Sequence, residues 1–120
     1  MIGKKVTVTV DRPKGACHPD YPDTVYPINY GYIEGIIAPD GEEQDAYILG
    51  VDEPLSELCG RVVAIIHRSD DVEDKLVVAP DGASFTRDEI IEKTAFQERY
   101  FKSWVELECD DCDAVNSRNT

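Results

Sequence analysis

Val6, Val8 and Val10 alternate with Lys5, Thr7 and Thr9 at the start of the chain, and a β-branched period of two predicts a half-buried strand over Lys5 to Val10. Pro13 and Gly15 end it, and a loop carries the chain to Val25. Ile28 to Ile37 is rich in aromatic and β-branched residues and predicts a second strand, with Tyr30 and Tyr32 on one face. Ala38-Pro39-Asp40-Gly41 predicts a turn, and Ala46 to Val51 a third strand. Arg61 to Arg68 is nearly continuous in apolar residues, the pattern of a strand buried on both faces, and Lys75 to Ala79 predicts a fifth.

After Pro80-Asp81-Gly82 the period changes to that of a helix. Thr86 followed by Glu89 predicts a capping box. Ile90, Ile91, Thr94, Ala95, Tyr100, Phe101 and Trp104 form an apolar stripe at helical spacing, with the helix ending near Lys102. The segment beyond Glu108 has no pattern and is expected to be a mobile tail over 109–120, leaving 1–108 as a single domain. Five short strands and one helix imply a mainly β fold: a small closed OB-like five-stranded barrel, mostly antiparallel, with one C-terminal α-helix packed on it.

Charge then narrows the function. A formal net charge of −13 argues against sequence-independent nucleic-acid binding, which depends on Lys and Arg displacing counterions from phosphates. It argues equally against an anionic membrane surface, and no apolar run approaches the roughly 20 residues of a membrane span. Met1 to Lys5 leads straight into a strand pattern, so the expected location is the cytoplasm. There Cys17 and Cys59 are expected as free thiols. Cys109 and Cys112 form a lone CxxC with no second ligand pair to complete a zinc site.

The carboxylates are unevenly placed. Asp40-Gly41-Glu42-Glu43-Gln44-Asp45 packs four acids into six residues, and between Lys14 and Arg61 ten Asp or Glu occur without one Lys or Arg. A second acidic turn, Asp70-Asp71-Val72-Glu73-Asp74, also stands at a strand end. If the two ends meet in the fold they form one carboxylate-lined mouth with Lys75 beside it. Crowded carboxylates either take up protons or hold a cation, and an all-oxygen site suits magnesium or manganese. An EF-hand is set aside, because its sixth position must be Gly and here, counted from Asp40, it is Asp45. Spacing leaves two readings open, a bound divalent cation or a solvated acidic surface. His18, in the loop before the aromatic segment, reads as an ordinary loop histidine or as a substrate contact.

Tyr26-Pro27-Ile28-Asn29-Tyr30-Gly31-Tyr32, the acidic turn, and the later run from Asp70 into Lys75-Leu76-Val77-Val78-Ala79-Pro80 together resemble the soluble family I inorganic pyrophosphatases. The resemblance covers Val6 to Lys102 and marks the chain as a short, divergent member. It implies hydrolysis of pyrophosphate to two phosphates with Mg2+, or Mn2+, as cofactor, and a homo-oligomer. It also implies roles: Asp40, Asp45, one of Asp70 and Asp71, and Glu73 as metal ligands, Glu42 in place of the aspartate that activates water, and Tyr26, Tyr30, Lys75, Tyr100 and Lys102 on the substrate. The chain departs from the pattern at Thr7 and Thr9, where the family has a lysine and a glutamate. It departs also at His18, nearest to an expected arginine, and at Phe101, where a lysine is usual. Those departures imply an alternative, a catalytically weakened module that binds a divalent metal or a phosphate-containing ligand.

Overall fold

A computed structural model describes residues 2–18, 20, 22–38, 41–69 and 74–107. Its elements are β1 (Lys5–Arg12), β2 (Asn29–Ile37), β3 (Glu43–Ile48), β4 (Glu57–Arg68), β5 (Lys75–Ala79), α1 (Arg87–Glu98) and β6 (Ser103–Leu107). The strands lie in the order β1-β2-β3-β5-β4-β6, and β1 also pairs with β4. That extra pairing closes β1, β2, β3, β5 and β4 into the five-stranded barrel expected from the sequence, with α1 packed on it. All pairings are antiparallel except β3 with β5.

Strands β3, β4 and β5 alternate between two cores, while β1 packs only inward. Val6, Val8, Ile33, Ala46, Ile48, Val62, Leu76 and Val78 fill the interior. Ile28, Tyr47, Leu49, Ala64, Ile66, Val77, Ile90 and Val105 form a second cluster between the barrel wall and α1. The period of two thus serves both faces, which is why β5 is buried throughout. Closure brings backbones close. A Cβ at Gly31 would be driven into the Thr9 carbonyl, and one at Gly60 into that of Ala79, so only glycine fits at these crossings.

Three strands carry a register irregularity, β2 between Ile33 and Ile37 among them, and on β1 and β4 it reverses the alternation beside the helix side of the wall. On β1 the register jumps between Val10, opposite Gly31, and Arg12, opposite Tyr30. On β4 it jumps between Val62, opposite Val78, and Ala64, opposite Val77. Each is a β-bulge with one extra residue, Asp11 and Val63 respectively. Val62 therefore faces the interior while Ala64 and Ile66, also even-numbered, face the helix.

The C-terminal part differs from expectation. The capping box at Thr86 forms as predicted, with Thr86 Oγ1 accepting from the Glu89 amide and Glu89 Oε1 from the Thr86 amide. The helix ends at Glu98, however, and Ser103–Leu107 is a sixth strand against β4. Tyr100, Phe101 and Trp104 are accordingly not on the helix, and Trp104 stacks on His67 across the β4–β6 ladder at 4.2 Å. The buried face of α1 is Ile90, Thr94, Gln97 and Glu98, most of it polar, and Ile91 is exposed. Strand β4 packs on both faces from Val62 to Arg68, as expected, but alternates buried and half-buried positions and is not fully buried throughout. The expected tail over 109–120 lies outside the described residues, as do Cys109 and Cys112, while Cys17 and Cys59 are exposed free thiols. Among the described residues no helix is long and apolar enough to cross a membrane.

Candidate active site

On the helix side of the barrel wall, an open cleft of about 390 Å³ is lined by residues from β1 to β5, α1 and two loops. The outward positions build its floor. Tyr30 on β2 lies opposite Tyr47 on β3, with ring centroids 5.0 Å apart. Tyr26 and Phe96 extend the aromatic wall, at 5.6 Å from Tyr30 and 5.2 Å from Tyr26. His18 lies stacked on Tyr26 at 5.7 Å, and its Nδ1 accepts from the Asp20 amide.

Asp45 and Lys75 meet at the centre of this floor. The parallel register pairs Ala46 with Leu76, so the residue before each faces outward beside the other. Lys75 Nζ donates to Asp45 Oδ2 at 2.5 Å and lies 5.7 Å from the Tyr30 ring centroid. Lys75 is buried, whereas the Asp45 side chain keeps 29% of its exposure toward the cleft. Burial and then the Asp45 carboxylate hold the Tyr30 phenol well above its ordinary pKa. Parallel pairing has a second effect: the chain runs into β3 and β5 from the same end of the barrel. Gln44 Nε2, at the start of β3, donates to the backbone carbonyls of Asp45 at 3.1 Å and Asp74 at 2.6 Å, tying the two strand starts together.

Behind the floor runs a buried polar chain that the sequence did not reveal. The Tyr26 hydroxyl donates to Gln97 Oε1, Gln97 Nε2 donates to the Tyr47 hydroxyl, and Tyr47 in turn donates to Glu98 Oε2 at 2.6 Å. Glu98 also receives a bidentate pair from Arg68. Burial, then Glu98, holds the Tyr47 phenol well above its usual pKa, while hydrogen bonding to Glu98 raises that of Arg68 despite its burial. Arg68 also stacks on Phe101, with Cζ 3.7 Å from the ring centroid. No buried side-chain nitrogen or oxygen among the described residues lacks a partner.

Of the residues singled out in the sequence, His18, Tyr26, Tyr30, Asp45, Lys75 and Tyr100 line this one cleft. Tyr100 is exposed at its rim, its hydroxyl accepting from Arg99. Glu42 is exposed in the turn before β3, its carbonyl accepting from the Ala38 amide, and does not line the cleft. Lys102 is exposed and outside it, with its carbonyl accepting from Ser69. Asp40, Asp70, Asp71 and Glu73 lie outside the described residues. Among the described residues no three His, Cys, Asp or Glu side chains are grouped so as to hold a metal. Gln97 and Glu98 are supporting residues that sequence reasoning missed, while Arg12 and Arg68, which it could name only as possible replacements for the family's missing basic residues, both line the cleft. Arg12 lies beyond the strand expected over Lys5 to Val10, and unbroken alternation from Val6 and Val8, or from Val62, would turn both arginines toward the interior.

No known family profile matches the chain. In sequence it is similar to a protein named soluble inorganic pyrophosphatase 2 from Chlamydomonas reinhardtii, at 30% identity over 96 residues, covering 70% of this chain and 50% of that protein. The chain spans about half the length of that relative. In fold it is similar to the inorganic pyrophosphatase of Ehrlichia chaffeensis, with a TM-score of 0.68 at 17% identity over 89% of this chain and 88% of that one. It is similar also to those of Coxiella burnetii, at TM-score 0.61, 16% identity and 90% and 86% coverage, and Helicobacter pylori, at 0.59, 19% and 88% and 82%.

Proposed function

We propose, for a chain that is a divergent relative of the soluble inorganic pyrophosphatases, metal-dependent hydrolysis of inorganic pyrophosphate to two phosphates. The observation that carries this reading is the Asp45–Lys75 pair on an aromatic floor, set between two parallel strands that start at the same end of the barrel. That arrangement puts a carboxylate and an ammonium within one cleft, as an anionic substrate bound through a cation requires.

The reading calls for magnesium or manganese. The donor chemistry fits a hard cation, since Asp45 offers carboxylate oxygen and Asp40, Asp70, Asp71 and Glu73 would add only more of the same. When bound, the metal would acidify an attacking water and offset charge on phosphate oxygens. The chain's own residues do the rest. Glu42, exposed in the turn before β3 and outside the cleft, takes the role of general base or water-orienting group on the resemblance alone. Lys75 is held by Asp45 and presents its ammonium to a phosphate oxygen, with Tyr30 and Tyr100 as further contacts from the cleft; Lys102, which lies outside it, keeps its substrate role on the resemblance alone. Tyr26 serves chiefly as wall, because its hydroxyl is donated to Gln97. The working form is a cytoplasmic homo-oligomer.

A second reading is a module of the same fold that binds metal or a phosphate-containing ligand with little turnover. Thr7 and Phe101 favour it, standing where the resemblance implies lysines. Phosphate release from pyrophosphate, assayed with and without magnesium beside Asp45→Ala, separates the two. Turnover that needs the metal and is lost in the variant supports hydrolysis. Metal binding by calorimetry without turnover supports the binding module.

A further inference from the structure

Arg12 stands apart from the other cations of the cleft. Lys75 and Arg68 are buried and held by carboxylates, at 5% side-chain exposure each. Arg12 retains 36% of its side-chain exposure, and its contacts among the described residues are to Asp11 alone, the backbone carbonyl at 3.2 Å and the carboxylate at 3.8 Å. Its charge is felt inside the site, where it pulls the Tyr26 phenol down against the larger effect of burial. In a chain of net charge −13 with 12 Lys and Arg, three of them converge on this cleft.

The backbone delivers Arg12 there by a specific device. Val6 and Val8 face the barrel interior, so an unbroken β1 would turn every even-numbered residue inward. The extra residue Asp11 reverses this and sets Arg12 opposite Tyr30, which lines the cleft. The bulge on β4 does the same for Arg68. Bulges recur beside active sites because they re-aim side chains in this way.

We propose that Arg12 is the anion-capturing residue of the cleft: its guanidinium takes two oxygens of one phosphoryl group of the substrate, exchanging its loose contacts to Asp11 for a fork-to-phosphate pair. This rests on the pyrophosphate reading for the substrate's identity, and it makes Arg12 a substrate-binding residue whose contribution is affinity and orientation. Arg68, already paired with Glu98, sets the field around it, and Lys75 keeps the phosphate contact proposed for it above.

The test compares Arg12→Gln and Arg12→Lys with the parent chain in steady-state hydrolysis of pyrophosphate, alongside calorimetric titration with pyrophosphate and with inorganic phosphate. Arg12→Gln is expected to raise KM and the pyrophosphate dissociation constant roughly 10-fold or more, the scale of one charge-assisted pair, with kcat changed far less. Arg12→Lys is expected to recover part of the loss, and the thermal midpoint of both to stay near that of the parent. Unchanged KM and binding in Arg12→Gln overturn the proposal while leaving hydrolysis standing. If the parent binds pyrophosphate without turning it over, the hydrolytic reading falls and the calorimetric comparison still decides Arg12. If it binds neither pyrophosphate nor phosphate, both fall.

Discussion

Arg68 and Glu98 meet behind the cleft as a bidentate pair, Nε to Oε1 at 3.1 Å and Nη2 to Oε2 at 2.6 Å, with 5% and 6% of their side chains exposed. The pair bolts the end of α1 to the end of β4, and Tyr47 donates to the same carboxylate. Removing one partner leaves the other charge buried without its counter-ion. Glu98→Ala is expected to destabilise the fold by about 3–5 kcal/mol, read from denaturant midpoints. Replacing both by apolar residues, Arg68→Met with Glu98→Leu, is expected to recover most of that loss, because the isolated charge is then absent. A Glu98→Ala chain as stable as the parent would remove the pair from the account of the fold.

Gly31 lies between the two tyrosines of the aromatic strand, at the point where β1 crosses closest to β2. Its φ is not positive, so the demand is for space and not for backbone conformation. Gly31→Ala is expected to cost at least the roughly 1–3 kcal/mol of an overpacked core, since the obstacle is the Thr9 backbone, which cannot rotate aside. Thermal melts would show it, with pyrophosphate affinity falling as Tyr30 shifts. A melt unchanged from the parent would show that β1 can move away freely.

Tyr26, Tyr30 and Tyr47 all titrate above their ordinary value of 10.0, each chiefly through burial. The unfolded phenols ionise near 10.0 while the folded ones keep their protons, so above that pH the unfolded state binds fewer. Stability contributed by these groups is intact below pH 10 and falls as pH rises beyond it, by about 1.4 kcal/mol per unit for each tyrosine still protonated when folded. Denaturant midpoints between pH 8 and 11 should be flat and then drop steeply, and Tyr47→Phe should make the drop shallower. Absorbance titration should show the exposed Tyr100, whose pKa is lowered by hydrogen bonding to Arg99, ionising before these three. Ionisation of all tyrosines together in the folded state would contradict the assignment.

The barrel was legible because its strands announce themselves locally. Val6 and Val8 alternate with polar neighbours, and Thr86 with Glu89 is a complete capping signal within four residues. The Asp45–Lys75 meeting was partly legible, since two acidic turns each stand before an apolar run, although only the parallel pairing of β3 and β5 joins them. What could not be read depends on contacts distant in sequence. Gln97 and Glu98 look like the solvent face of a helix until Tyr26, Tyr47 and Arg68 are seen to satisfy them, through pairs separated by 71, 51 and 30 residues. Ser103 to Leu107 continued an apolar spacing that fits a helix, and its pairing with β4 decided for strand. Asp11 and Val63 carry no mark as bulge residues, yet they determine that both arginines face the cleft.

Gln44 is buried at the start of β3 and holds the backbone at Asp74, so it couples the chain that leads in from the first acidic turn to that leading in from the second. If carboxylates of those turns share a cation, their separation is set in part by this one amide. Residues that orient metal ligands without touching the metal typically alter affinity 10- to 100-fold when removed. Gln44→Ala is therefore expected to weaken magnesium binding by roughly 10-fold or more, measured by calorimetry on the full chain. Its loss of stability should be modest, about 1–3 kcal/mol, because Asp74 lies near the surface and water can replace the lost donor. Gln44→Glu, which cannot donate to a carbonyl when ionised, should lower affinity as well despite adding a carboxylate to the region. Equal or tighter magnesium binding in Gln44→Glu would instead mean that bulk negative charge, and not the spacing between the starts of β3 and β5, governs the cation.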